Sequence, residues 1–185
     1  MLIRGIAAGA FLTYAGHMIE ATALLWGAQP VAGLLLVAAL VLFLVNAVRL
    51  VAIDARVHLL PNRIIFPWYP IALLLLVLAA AMAGEMMTAL RVVVSGVALF
   101  LFYLLLHVIN PGGMGLGDVK LAGILGMYLG FLSWSHLLFG TLLAFVTGAL
   151  WAGALMVLRR ANRKSTFAFG PFMFLGTTAA LFMTV

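Results

Sequence analysis

The chain carries four acidic side chains, Glu20, Asp54, Glu85 and Asp118, and two of them stand where chemistry is possible. Asp54 follows a long apolar run. Asp118 opens another, directly behind Asn110-Pro111-Gly112-Gly113-Met114-Gly115-Leu116-Gly117. Neighbouring carboxylates do not both ionise readily, so a pair shares a proton and titrates as a unit. One member then deprotonates a water while the other hydrogen-bonds a substrate carbonyl, which is aspartic-peptidase chemistry. Taken singly, each aspartate reads as a helix cap or an interfacial charge. Asp118 in particular is well placed to cap free N–H groups of the apolar helix that it opens. The mechanism therefore rests on the two being brought together by the fold.

The residues around them have expected roles of their own. Four glycines fall between Gly112 and Gly117, which permits sharp turns and a close approach of a peptide backbone. Gly115 and Gly117 belong to the Gly-x-Gly-Asp tetrad itself. Downstream of Asp54, Pro61 suits the first turn of a helix and Asn62 its cap. Lys120 either steadies a carboxylate, meets an acidic residue of a substrate, or simply anchors the chain at the membrane face. Arg56 and Arg63 read as topology determinants, and His58 as a solvated loop histidine. Glu85 falls in a short outer loop, where solvation explains it, and Glu20 lies one helical turn after His17. There are no cysteines, which removes thiolate metal sites, disulfides and a cysteine nucleophile. The four histidines, His17, His58, His107 and His136, form no ligand pair at helical spacing. No metal or organic cofactor is signalled.

The elements that must position these residues follow from composition. Hydrophobic residues make up 67% of the chain and charged ones 8%, with 19 glycines among 185 residues. A small globule is mostly surface and cannot hide that much hydrocarbon. The expectation is an all-α, polytopic transmembrane bundle of about six to seven spans, forming one membrane domain over 1–185. A span needs about 20 apolar residues, and the candidates are 5–26, 31–50, 64–83, 92–109, 118–133, 137–158 and 167–184. For residues 1–30 a cleaved signal peptide is the alternative. Trp26 stands where a cut after Ala28 wants a small residue, which favours a retained span.

With Met1 inside, the cytoplasmic loops hold Arg4, Arg49, Arg56, Arg63, Lys120, Arg159, Arg160, Arg163 and Lys164, and only Arg91 falls outside. That bias orients the bundle and puts both aspartates at the cytoplasmic face. It also explains the net charge of +6 without nucleic acid, since no basic run is interleaved with stacking aromatics. Gly140, Ala144, Gly148 and Ala152 form one close-packing stripe, and Gly123, Gly126 and Gly130 another. Trp26, Trp68, Trp134 and Trp151 fall mostly near span ends, as interface anchors do.

Three segments resemble the prepilin peptidases of type IV pilus and type II secretion systems. They are Asp54 with Arg56 and Leu60-Pro61-Asn62, then Gly115-Leu116-Gly117-Asp118-Val119-Lys120-Leu121, then Phe169-Gly170-Pro171-Phe172. The resemblance covers about residues 31–185, and order, spacing and orientation agree. It implies an Asp54/Asp118 dyad that removes the short basic leader of a prepilin or pseudopilin, just before its apolar helix, at the cytoplasmic face of the bacterial inner membrane. It implies pilus or type II secretion machinery as partners and the bilayer as surroundings. Larger members add a cytoplasmic domain, often with zinc-binding cysteines, and methylate the new N-terminus. The chain resembles instead the short, peptidase-only branch serving Flp-type (type IVb) pili, for which no N-methyltransferase activity is expected. The competing readings are a non-enzymatic ion or proton pathway using the same aspartates, a structural subunit, and a presenilin-like protease. Neither aspartate is in mid-span, the structural reading leaves both aspartate motifs unexplained, and Ile53 stands where the presenilin-like motif has tyrosine.

Overall fold

The computed structural model describes residues 17–57, 60–110, 113–158 and 168–184. All of the secondary structure among these residues is helical: α1 (Met18–Ala28), α2 (Pro30–Val57), α3 (Asn62–Met82), α4 (Met86–Ile109), α5 (Leu116–Leu132), α6 (Trp134–Val157) and α7 (Gly170–Phe182). Four of them, α2, α3, α4 and α6, are long and apolar enough to cross a membrane. Leucines such as Leu34, Leu74, Leu101, Leu138 and Leu150 point outward, so the bundle presents an apolar exterior. The chain is an all-α, multi-pass membrane protein. The expected first span overlaps α1, and its residues 5–16 lie outside the described residues, as do Arg4, His58, Pro111, Gly112, Arg159, Arg160, Arg163 and Lys164.

The α3–α4 and α5–α6 turns are short and chemically specified. Between α3 and α4, Gly84 takes φ +80, the left-handed conformation that glycine adopts without strain. Glu85 N–H then donates to Ala80 O (2.9 Å) and Gly84 N–H to Ala81 O (3.0 Å), closing the end of α3 in a Schellman arrangement. Burial raises the Glu85 pKa, opposed by Arg91 and by a hydrogen bond with Thr88. Between α5 and α6 the link is Ser133 alone, whose Oγ accepts from His136 N–H at 3.1 Å. At α1, His17 is the N-cap; its ring accepts from Glu20 N–H and lies 3.6 Å from the Glu20 carboxylate.

Helix α5 is the axis of the bundle. Every residue from Leu121 to Leu132 is buried, the pattern of a helix enclosed on all sides. Its glycines accept α4 at close range. A Cβ on Gly126 would lie 2.6 Å from Ser95 O and 3.1 Å from Gly96 Cα, and one on Gly130 would collide with the Ser95 side chain. The second stripe works likewise: Gly140, Ala144 and Gly148 are buried, and Gly176 of α7 packs on the Gly140 and Ala144 backbone. Gly148 meets Phe169 while Gly140 meets Ala180, so α6 and α7 run antiparallel.

Buried aromatics join the remaining helices. Trp68 Nε1–H donates to Tyr128 Oη (3.2 Å), which donates to Ala39 O (2.9 Å). Phe43 and Phe174 complete this cluster, with Phe174 stacked on Trp68. Trp68 is thus a core residue rather than an interface anchor, because its indole N–H finds a partner inside the bundle. Trp26, Trp134 and Trp151 are exposed, as expected of anchors.

Candidate active site

Asp54 lies in the last turn of α2 and is only 4% exposed. A span over 31–50 would leave Asp54 in the loop behind it. The helix runs seven residues further because no proline or glycine interrupts it before Pro61. Against the carboxylate lies the start of α7. A Cβ on Gly170 would sit 2.6 Å from Asp54 Oδ2, so any side chain there would push against the carboxylate. Pro171 follows within the first turn, where its missing N–H costs nothing. The N-terminal, positive end of the α7 dipole therefore faces Asp54.

Asp118 is the third residue of α5 and is half-buried. Its carboxylate accepts a hydrogen bond from the backbone N–H of Gly115, the N-cap residue. This is half of a capping box, in which a side chain at the third position reaches back to the cap. The capping role read for Asp118 is therefore present, but it serves the cap residue's own N–H. The Asp54 charge acts on Asp118, so the fold brings the two carboxylates within electrostatic reach of each other. The buried phenol of Tyr103 on α4 also feels Asp118. Tyr103, Phe145 and Phe169 pack ring on ring beside it, with centroids 5.4–6.4 Å apart.

The supporting residues differ in outcome. Gly115 and Gly117 are both at the site: a Cβ on Gly117 would lie 3.0 Å from Leu60 Cβ, so the two aspartate segments touch. Pro61 is the N-cap of α3 rather than its first residue, and no side chain caps that helix. Asn62 does not cap. Its Oδ1 accepts from Lys120 Nζ at 3.0 Å, because α3 and α5 begin at the same end of the bundle. Lys120 therefore ties α5 to α3, with its ammonium 5.2 Å from the Phe66 ring centre and its carbonyl accepting from Tyr69 Oη. Among the described residues, no three His, Cys, Asp or Glu side chains gather as metal ligands.

Two further residues contribute here without a motif to mark them. Arg91 reaches the far end of α5 and donates to the carbonyls of Gly130 (2.6 Å), Phe131 (2.9 Å) and Leu132 (2.8 Å). His107 Nδ1 lies 2.7 Å from Met114 O in the glycine loop. A lone arginine near the start of an apolar helix gave some signal for the first; nothing local signalled the second. Chemically, two carboxylates on separate helices, within each other's field and partly shielded from water, resist ionising together, which favours one protonated and one ionised group.

Comparison with known proteins bears on the chain's family. The chain is 28% identical over 140 residues to the prepilin leader peptidase/N-methyltransferase of Bacillus subtilis (strain 168), an alignment covering 76% of this chain and 53% of that protein. It thus spans about half the length of that relative. No solved structure matches it. The sequence pattern of the type IV leader peptidase family matches residues 38–153, a stretch holding both aspartates, and the chain belongs to that family.

Proposed function

We propose that the chain is a membrane aspartic endopeptidase that removes the short basic leader from type IV prepilins or pseudopilins, those of the Flp class in particular. Asp54 and Asp118 are its catalytic pair. One observation carries this reading: the only two aspartates of a leader-peptidase family member interact electrostatically, from different helices, at one end of an apolar bundle. The ionised carboxylate takes a proton from water as its oxygen attacks the scissile carbonyl. The protonated carboxyl hydrogen-bonds that carbonyl and donates its proton as the tetrahedral oxyanion forms. Collapse expels the amine of the new N-terminus, which takes the proton first removed from water, while the second hydroxyl of the tetrahedral intermediate returns its proton to the other carboxylate, leaving the dyad singly protonated.

The positive-inside bias supports a site facing the cytoplasm, in the inner membrane, where a basic leader ahead of an apolar helix lies. Pilus or type II secretion machinery then receives the mature subunit. The test is co-expression of a Flp-type prepilin with the wild type, Asp54→Asn and Asp118→Asn, reading leader removal by gel shift and N-terminal sequencing. Both variants should reach normal membrane levels and leave the precursor intact. Full processing by either one sinks the dyad and turns attention to an ion pathway through the same aspartates.

A further inference from the structure

Met114 and Gly115 share one peptide group, and both ends of that group are held. Its carbonyl faces His107 Nδ1 at 2.7 Å, and its N–H donates to the Asp118 carboxylate. A carbonyl only accepts, so Nδ1 carries the hydrogen. A peptide group is planar with C=O and N–H pointing oppositely. Fixing the carbonyl therefore fixes the direction of the N–H. His107 sits in the last turn of α4, a 24-residue helix packed on α5, so the imidazole is anchored to the rigid part of the molecule. The peptide it grips is not rigid in itself, because glycines at 113, 115 and 117 leave the backbone torsions soft. His107 is not needed to end α4: that is done by Asn110 N–H donating to Leu106 O at 3.0 Å.

We propose that His107 is a positioning residue for Asp118, acting through the Met114–Gly115 peptide group. Resting on the dyad reading, this adds a third residue to it. Imidazole, peptide and carboxylate form a continuous hydrogen-bonded chain, in which each link polarises the next. Gly117 packed against Leu60 braces the loop from the Asp54 side, and His107 braces it from the α4 side.

The test uses the full chain in lipid nanodiscs with His107→Leu, His107→Asn and His107→Gln. The asparagine amide nitrogen reaches about where Nδ1 lies, whereas the glutamine amide reaches past it. Two readouts are taken: kcat and KM for leader removal from a Flp-type prepilin, and hydrogen exchange of the Gly115 amide. Loss of one such hydrogen bond corresponds to about a tenfold effect. In His107→Leu, kcat should fall about tenfold with KM within about twofold, and Gly115 exchange should accelerate about tenfold. His107→Asn should restore a large part of both, and His107→Gln should not. Wild-type exchange and kcat in His107→Leu overturn the proposal, as does an asparagine variant no better than the leucine one. If His107→Leu fails to fold, the contrast between asparagine and glutamine decides in its place. If the wild type cleaves no prepilin, the peptidase reading fails, and Gly115 exchange still decides the role of His107.

Discussion

Replacing Gly170 by alanine adds one carbon at the tightest point of the proposed site. That carbon would lie 2.6 Å from Asp54 Oδ2, whereas ordinary contact begins at 3.4 Å, so carboxylate and helix must separate by the difference, 0.8 Å. Asp54 is buried at the end of α2, and α7 is locked to α6 by Gly176, so neither has an easy direction to move. Overpacking of this kind costs about 1–3 kcal/mol of stability. A displacement of about 1 Å in a catalytic group costs on the order of 100-fold in rate. Gly170→Ala is therefore expected to lower kcat for leader removal by about two orders of magnitude, far out of proportion to its effect on folding. The assay is single-turnover cleavage of a Flp-type prepilin in detergent, with thermal unfolding of the same samples. Gly153→Ala is the control: nothing lies within 4 Å of its added carbon. It should leave the rate unchanged and stabilise α6 by up to about 1 kcal/mol. A Gly170→Ala protein with wild-type kcat would refute the idea that this glycine exists to admit the Asp54 carboxylate.

Other perturbations separate folding from chemistry. Arg91→Ala removes the donors to three carbonyls at the end of α5 and should destabilise the protein by about 3 kcal/mol in thermal unfolding, with Arg91→Lys recovering less than half because an ammonium lacks the planar fork. Tyr128→Phe strands the Trp68 indole N–H and frees Ala39 O; unfolding should show a loss of about 1–3 kcal/mol while cleavage per folded molecule is unchanged. Asp118→Ala should be less stable than Asp118→Asn by about 1 kcal/mol, since asparagine keeps an acceptor for Gly115 N–H, and both should be inactive.

Much of this molecule is legible in its sequence because lipid allows so few solutions. A spanning backbone must satisfy its own hydrogen bonds, so long apolar runs become helices and only their limits are in question. The limits were misread where hydropathy and helix formation part company. Residues 51–57 continue α2 because polarity does not stop a helix, and Met86–Arg91 belong to α4 because the arginine finds carbonyl partners beside it. The aspartates were legible through their motifs, and the glycine stripes through their spacing. What stayed hidden depends on three-dimensional neighbours. Gly170 was marked by its motif, but its contact with Asp54 joins residues more than a hundred positions apart. His107 meets Met114 seven positions on, beyond the end of α4, a separation that no helical spacing would signal. Asn62, expected as a cap, and Lys120, expected as a partner for an acidic group or as an anchor, turn out to hold each other.

These contacts make the depth of α5 the quantity that matters for the proposed dyad. Asp118 sits in the first turn of a 17-residue helix, and sliding that helix by one turn would carry the carboxylate about 5 Å along the axis, away from Asp54. Three features oppose such a slip. Arg91 grips the last three carbonyls of α5, about 18–21 Å from Asp118 at 1.5 Å per residue. Gly126 and Gly130 lock onto Ser95 and the α4 backbone, and Gly123 onto Tyr69 of α3 and Phe100 of α4, so a shifted register would drive larger side chains into both helices. Lys120 holds Asn62 at the near end. An arginine at the opposite end of the bundle thus bears on the geometry of the carboxylates. It does so by ordinary helix capping, and with no need for a conformational signal between the two ends.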